Sequence, residues 1–473
     1  MKIAYKWKAM GIGSVGVMLS TMDLGMIRIA LPPLSEALEV GPNSVIWLQL
    51  VTLMIGAGMT LSVGKAADMY GRKKIFSIGL LVMALGLGLC SLSHSFEQLL
   101  ASRFISALGV IITMSSATAV VTAAFSAEER GKALGIIWAM AYMGLVSGPL
   151  IAGVLIDTIG WRSTFYVRVP FVIIDLALAV FLLKKDVVHE HKGGFDIKGA
   201  VLLFLAIPAL MYVVNQGHQL GWTSPTVIML TIIGFILLGL FIAVERKARE
   251  PILELRMFSS RFLKMVTGSQ VLFYMATSTF DFTAPFFLIQ GLTLPTTEAG
   301  LLLVVTTAVS MVVSPVSGRL SDRLGTRLLC TIGLAFIGFG IIILRSFTIG
   351  TSITEVLLPF TAIGLGLGFF TPPITSAIMG AIPREKIGTA AAMINLFRQL
   401  GMTIGLAIAG SMYAASTLSS TTELLSQRMA EDIVRKTSVV NGMHDTLLLG
   451  LIFLIACFAL TILRGRYSST ERS

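Results

Sequence analysis

Charge is what this sequence has least of. Only 13% of its 473 residues are Asp, Glu, Lys or Arg, about half the roughly 25% found in soluble globular domains. That scarcity excludes an ordinary cytosolic enzyme, a nucleic-acid binder and a disordered tail. Cysteine is equally scarce. Cys90, Cys330 and Cys457 all fall inside apolar runs, where a thiol behaves as a small hydrophobe, so neither a disulfide framework nor a metal site is expected. No HExxH or GxSxG pattern occurs, no Gly-rich nucleotide loop occurs, and the five histidines (His94, His189, His191, His218 and His444) fall in stretches read as loops. An intramembrane hydrolase would need a nucleophile with a base or metal ligands, so an enzyme is not expected, and neither is a cofactor.

What the chain does have is length in apolar runs: 55% of residues are hydrophobic and the mean hydropathy is +0.86. A sliding apolar window gives fourteen spans, at 9–32, 44–63, 75–93, 97–124, 131–157, 161–183, 197–215, 224–244, 264–290, 297–317, 327–346, 353–379, 387–414 and 445–464. At about 20 residues each they consume about 280 positions and leave no room for a soluble domain. The runs are continuous rather than alternating, which favours helices over a barrel in a solvent where every backbone polar group must be bonded internally. Lys2, Lys6 and Lys8 before the first run resemble a signal peptide, but the run is too long for a cleaved segment and ends in Ala30-Leu31-Pro32-Pro33, so it is read as a retained span.

The basic residues test this layout independently. With the amino terminus inside, 27 Lys and Arg fall on inside segments, five (Arg162, Arg345, Arg428, Arg435 and Lys436) outside, and four within spans. That asymmetry places both termini in the cytoplasm of a cell-membrane protein. The net charge of +11 is therefore a topology signal rather than a nucleic-acid footprint.

Repetition follows. After span 2 the chain reads Gly64-Lys-Ala-Ala-Asp68-Met-Tyr-Gly71-Arg72-Lys73-Lys74, and after span 10 it reads Gly318-Arg-Leu-Ser-Asp322-Arg323-Leu-Gly325-Thr-Arg327, with glycines and aspartate at a constant offset. Two copies in equivalent inside loops mark two six-span halves. The expected division is residues 1–190, an inserted pair of spans in 191–250, and 251–473. The longest outside segment, Ser416 to Asp445, is expected to be a loop that either caps an exit or merely links two spans.

Seven charges remain at bilayer depth: Asp23, Asp175 and Asp281 against Arg28, Arg103, Arg168 and Arg398. Each costs several kcal/mol unless paired or hydrated. At about 1.5 Å per residue, Asp23 lies about 21 Å from the inside end of span 1, and Arg103 about 9 Å from the outside end of span 4. Through a core of about 30 Å they meet at one level. Arg168, about 10 Å into span 6, shares it. An extended network through Arg28 and Asp175 is one reading, and outward snorkelling of Arg28 is the other. Asp281 and Arg398, the embedded charges of the second half, are expected to pair.

These motifs together resemble the major facilitator superfamily, specifically its fourteen-span drug:proton antiporter branch. The two repeated loops are similar to that superfamily's cytoplasmic signature. Gly144-x3-Gly148-Pro149-x3-Gly153 is similar to its antiporter motif, and Arg103 is placed like the motif arginine of span 4, with Ser106 and Ala107 where Gln-Gly is usual. Met22-Asp23-Leu-Gly-Met-Ile-Arg28-Ile-Ala30-Leu31-Pro32, Trp161-Arg162-Ser-Thr-Phe165-Tyr-Val-Arg168-Val169-Pro170 and Arg398-Gln399-Leu400-Gly401 resemble branch patterns. Arg28 and Arg168 stand where that branch commonly has asparagine.

The resemblance implies an all-α membrane fold of two six-helix halves plus two inserted helices, and proton-coupled export of lipophilic or amphipathic compounds such as drugs by alternating access. It implies Asp23 as the proton site with Arg103 as its partner. A static pair bracing span 1 against span 4 is the structural alternative. It also implies a latch formed by Gly64, Asp68, Gly71 and Arg72 with Gly318, Asp322, Arg323 and Gly325. Spans 1, 4, 9 and 12 would line a cavity walled by Met22, Met26, Phe273, Tyr274, Phe280, Phe369 and Phe370, residues that could equally be packing. Because embedded arginines outnumber embedded acids, export or flipping of anionic or lipid-like amphiphiles is the alternative function. Expected partners are a small substrate, protons and the lipid bilayer, without nucleic acid, around a monomer.

Overall fold

The computed structural model describes residues 5–126, 129–184, 197–247, 260–382 and 387–464. The predicted charges between 185 and 196, at Arg384 and Lys386, and beyond Arg464 lie outside the described residues, as does the side chain of Asp68. Among the described residues all regular structure is helical. Thirteen helices are long and apolar enough to cross a membrane, and a shorter apolar helix, Val201–Gly217, occupies the seventh predicted span. The expected all-α architecture of about fourteen spans holds.

Span 1 is α1 (Tyr5–Ala37). Span 2 is a short α2 (Pro42–Val45) running into α3 (Trp47–Tyr70), and spans 3 to 5 are α4 (Arg72–Ser91), α5 (Phe96–Ala124) and α6 (Arg130–Ile159). Span 6 is broken into α7 (Ser163–Tyr166) and α8 (Arg168–Leu182). The inserted pair is α9 (Ile197–Leu220) and α10 (Pro225–Lys247). The remaining six are α11 (Arg261–Phe286, with a π turn at Phe287–Gly291), α12 (Thr296–Leu324), α13 (Thr326–Leu344), α14 (Ile353–Gly380), α15 (Ile387–Ser426) and α16 (Glu431–Leu463). "Outer" below means the end that the basic-residue asymmetry assigns outside.

Local chemistry sets several helix ends. Ser95 accepts from the Gln98 backbone N–H at the start of α5, and Ser352 with Glu355 forms a capping box on α14. The π turn follows Pro285, whose missing N–H already interrupts the helical ladder. Gly71 and Gly325, the second glycines of the two repeated loops, have φ of 99° and 86°. Each joins two helices end to end, which is why the repeat needs glycine there.

The chain packs as two units. The first comprises Met1–Leu210, Thr231–Ile252 and Pro295–Leu301, and the second Met211–Leu230, Leu253–Leu294 and Leu302–Ser473. Residues of α9 and α10 are assigned to both units.

Two expectations about loops are corrected. The 416–445 segment is a helical hairpin: α15 continues to Ser426 and α16 begins at Glu431, with Arg428 at a φ of 56° in the turn. A buried stripe of Val434, Ser438, Gly442 and Thr446 on α16 explains the helix, and a Cβ on Gly442 would come within 3.1 Å of the Tyr413 ring of α15. The stretch is too polar to read as a span, yet one buried face of small residues flanked by Val439, Met443 and Leu447 suffices to hold a helix against its neighbour. His218 and His444 likewise lie within α9 and α16 rather than in loops.

Candidate functional site

Asp23, Arg103 and Arg168 meet in the interior of the first unit. Asp23 and Arg103 are completely buried and Arg168 is 2% exposed. Arg103 donates two parallel bonds to the Asp23 carboxylate, Nη1 to Oδ1 at 2.8 Å and Nη2 to Oδ2 at 2.5 Å. Two parallel charge-assisted bonds of this kind add geometric specificity as well as strength to an Arg–carboxylate pair. Arg168 Nη1 donates to Oδ1 from the other side. One carboxylate therefore serves two cations, and the buried cluster carries a formal charge of +1.

Each guanidinium is anchored apart from the carboxylate. Arg103 Nε donates to the Leu48 carbonyl at 3.0 Å, and its Nη2 also reaches Thr52 Oγ1 at 3.1 Å. Both acceptors lie on α3. Arg168 Nε donates to the Thr164 carbonyl of α7 at 2.9 Å. Sequence reasoning missed Leu48, Thr52 and Thr164, because a backbone carbonyl has no side-chain signature. Thr52 could have been found from its place on α3 at mid-depth, where a lone hydroxyl seeks a partner.

The antiporter-motif glycines bear on the same helix as Asp23. A Cβ at Gly144 would overlap the Met18 carbonyl and the Thr21 hydroxyl, and one at Gly148 would lie 2.8 Å from the Met22 carbonyl. Pro149 Cδ would lie 2.9 Å from a Cβ on Gly25. These small residues let α6 touch the α1 backbone on both sides of Asp23 in sequence. Gly153 is used differently. Its Cβ position lies 2.7 Å from the Thr296 carbonyl. One turn further on, Asp157 accepts from the Thr296 and Thr297 backbone N–H groups at 3.0 and 2.7 Å, capping the start of α12.

Other predicted charges take separate places. Arg28 is half-buried on α1, about 7.5 Å outward of Asp23. Asp175 lies on the same buried stripe of α8 as Arg168. It is 1% exposed, and neither carboxylate oxygen has a hydrogen-bond partner among the described residues. Asp281 and Arg398 are not brought together. Arg398 donates to Asn395 Oδ1 of its own helix at 2.9 Å. Measured from the inside ends of α11 and α15, Asp281 is about 30 Å deep and Arg398 about 17 Å, so the two sit at different levels.

In the signature loops, Lys73 Nζ donates to the Val180 and Leu183 carbonyls at 2.7 Å each. It thereby caps the carboxyl end of α8, where a cation is favoured. Among the described residues Gly64 has no atom within 4 Å of its Cβ position, whereas Gly318 has Pro372 at 3.8 Å. Among the described residues Asp322 has no ion-pair partner, and Arg323 lies in the last turn of α12.

Of the predicted cavity wall, Met22 and Met26 are buried on α1 against α6. Phe273 stacks on Phe370 at 3.8 Å and 6°, Phe280 meets the Phe360 edge, and all four rings are buried. They knit α11 to α14. Tyr274 and Phe369 keep partly exposed faces.

A sequence profile of the Major Facilitator Superfamily matches residues 13–406. The multidrug resistance protein Stp of Mycobacterium tuberculosis (strain CDC 1551 / Oshkosh) is 32% identical over 437 residues, 89% of this chain and 78% of that protein. The riboflavin transporter RibZ of Clostridioides difficile (strain 630) is 28% identical over 412 residues, 87% and 89% of the two chains. Among solved structures, a bacterial homolog of the human lysosomal transporter Spinster, in an inward-facing and unoccupied conformation, matches with a TM-score of 0.74 at 14% identity. That match covers 99% of this chain and all of the other, and it speaks for the fold.

Proposed function

The chain belongs to the Major Facilitator Superfamily, a family of transporters rather than enzymes, and from that premise we propose that it is a proton-coupled antiporter. It exports lipophilic or amphipathic compounds across the cell membrane by alternating access, as a monomer with both termini in the cytoplasm. The observation that carries this reading is the fully buried carboxylate of Asp23 held by two guanidiniums.

Asp23 is the group whose charge responds to protons. A carboxylate paired with arginine holds a proton weakly, and one parted from its partner in a dry setting holds it strongly. When Asp23 takes a proton, both ionic contacts weaken and Arg103 faces Arg168 without an anion between them. Because the arginines are anchored on α3 and α7, α1 is the element that responds. The glycine contacts of α6 lie along that same stretch of α1, so the motion passes to α6. The two repeated loops act as latches for one of the alternating states.

Relatives named for multidrug resistance support a lipophilic substrate. A second reading, export or flipping of anionic or lipid-like amphiphiles, is favoured by the surplus cation of the cluster. Transport into proteoliposomes under an imposed pH gradient, with a lipophilic cation in one arm and an anionic amphiphile in the other, separates the two. Uptake that ignores the pH gradient in both arms refutes antiport.

A further inference from the structure

A cavity of about 1110 Å³ lies within the second unit, among the outer parts of α15 and α16, the end of α13 and the turn joining α9 to α10. The Asp23 cluster belongs to the first unit, and the proposed transport reaction makes no use of this cavity.

Its lining changes character along the helices. Ile408 and Met412 on α15 and Leu449 on α16 form the deeper end, with Val214 from α9. Ser416, Ser420 and Glu423 on α15, with Asn441 and Asp445 on α16, form the outer end. Ile408 to Ser420 spans about 18 Å of helix, so the gradient runs along the helix axes, apolar inward and polar outward. Trp222, 58% exposed in the α9–α10 turn, stands beside the polar end, where an indole marks the membrane–water interface.

The polar end holds opposite charges that do not pair with each other. Arg345, the cap residue of α13, is half-buried. Among the described residues its side chain has neither a carboxylate partner nor a hydrogen bond. Asp445 accepts from Ser416 Oγ at 2.5 Å and among the described residues forms no ion pair, with the His444 imidazole of the same lining beside it; Asn441 Nδ2 donates to Ser420 Oγ at 2.8 Å. A guanidinium and two carboxylates, from Asp445 and Glu423, thus border one space with no ion pair between them among the described residues. The ligand they suit carries an anion and a hydrogen-bonding cation on one head, and an apolar tail.

We propose that this cavity binds a zwitterionic amphiphile with a phosphoethanolamine-type head. The phosphate meets Arg345 and the α15 serines, the primary ammonium meets Asp445 and Glu423, and the chain lies against Ile408, Met412 and Leu449. A quaternary ammonium has no N–H to give those carboxylates, and an anionic head would face them with like charge. Two sources share the chemistry: an outer-leaflet phospholipid resident on the protein, and an amphiphile in transit.

The test titrates full-length, delipidated protein with phosphatidylethanolamine, phosphatidylcholine and phosphatidylglycerol of identical chains, counting bound lipid by native mass spectrometry. Phosphatidylethanolamine is expected to bind about tenfold more tightly than the others. Asp445→Asn should remove about tenfold from phosphatidylethanolamine binding and with it the preference, and Arg345→Gln about tenfold from all three lipids because each carries the phosphate, the scale of one charge-assisted hydrogen bond. Ala415→Trp, which fills the cavity and leaves every charge in place, should also abolish the preference, with thermal unfolding showing that each variant is folded. Equal binding of the three lipids, or a preference that survives both Asp445→Asn and Ala415→Trp, overturns the site. Acyl-labelled phosphatidylethanolamine in proteoliposomes then assigns the source. Movement of label between leaflets that Ala415→Trp stops marks cargo, and binding without movement marks a resident lipid. No proton gradient enters the binding assay, so its failure is separate from failure of the antiport reading.

Discussion

Replacing Asp23 with asparagine leaves two buried guanidiniums sharing a neutral amide. Both bond the same Oδ1 atom, so their nitrogens stand no more than about 5 Å apart, and at an effective dielectric constant near 20 their repulsion is about 3 kcal/mol or more. Stripping the partner from a buried ion pair costs about 3–5 kcal/mol in other proteins, the same scale. Asp23→Asn should therefore be destabilised by about 3–5 kcal/mol in detergent. Arg168→Asn removes the surplus cation and leaves the two-pronged Asp23–Arg103 pair whole, so alone it should cost less. The informative chain is the double variant. With Arg168 gone, asparagine at 23 faces a single guanidinium still held by Leu48 and Thr52, and about 3 kcal/mol should return. The assay is a double-mutant cycle of thermal unfolding midpoints, run alongside proton-driven transport. Stability should recover in the double variant while transport stays lost, because the protonatable group is absent from both. A double variant as unstable as the sum of the singles would refute the repulsion argument. Undiminished transport by Asp23→Asn would refute the role of Asp23.

Three further substitutions probe the surroundings. Gly144→Val should cost about 1–3 kcal/mol by overpacking α6 against α1 and block transport, whereas Gly135→Ala, with nothing within 4 Å of its Cβ position, should leave both intact; equal effects in transport and thermal assays would discount the contact. Lys73→Met removes the cap on the Val180 and Leu183 carbonyls and should lower stability by about 0.5–1.5 kcal/mol, an effect absent if the thermal midpoint does not move. Asp175→Leu should raise stability by about 1 kcal/mol or more, since a buried carboxyl without hydrogen bonds pays for desolvation and receives nothing back; a lower midpoint would mean that Asp175 has a partner the geometry does not reveal.

The span layout was legible because lipid permits so few solutions. Apolar runs must be helices, and basic loops report their order. Depth arithmetic brought Asp23, Arg103 and Arg168 to one level, since each helix end was well marked. Asp281 and Arg398 are the embedded charges of the second half, so composition alone suggests a pair, but α11 and α15 carry them at levels about 13 Å apart. The α15–α16 hairpin was hidden by its polarity. A search tuned to membrane spans passes over an amphipathic helix such as the start of α16, whose buried residues recur at helical spacing among charges. Anchors such as the Leu48 carbonyl are illegible in principle, because every residue has one. The aromatic residues were ambiguous for a different reason: Phe273 and Phe370 can face a cavity or each other, and only packing decides in favour of the stack.

Arg168 is one of two residues, with Arg28, that set this chain apart from the asparagine-bearing pattern it resembles, and its consequence is electrostatic. The Born cost of a buried cluster grows with the square of its net charge. Protonating Asp23 takes a neutral Asp–Arg pair from zero to one positive charge, but takes the observed cluster from one to two, so the step costs about three times as much while the three side chains stay together. A second arginine therefore makes it harder for a proton to enter without the helices parting. In the proposed antiport cycle that is the condition for tight coupling, the proton entering only where α1 has left the arginines. Arg168→Asn restores the neutral pair and lowers that barrier. Proteoliposomes carrying Arg168→Asn and no substrate should dissipate an imposed pH gradient several times faster than wild-type vesicles, with Asp23→Asn/Arg168→Asn returning the leak to the wild-type rate because no proton site remains. Equal leaks in wild type and Arg168→Asn would show that the second arginine braces α1 against α8 and does nothing to gate the proton.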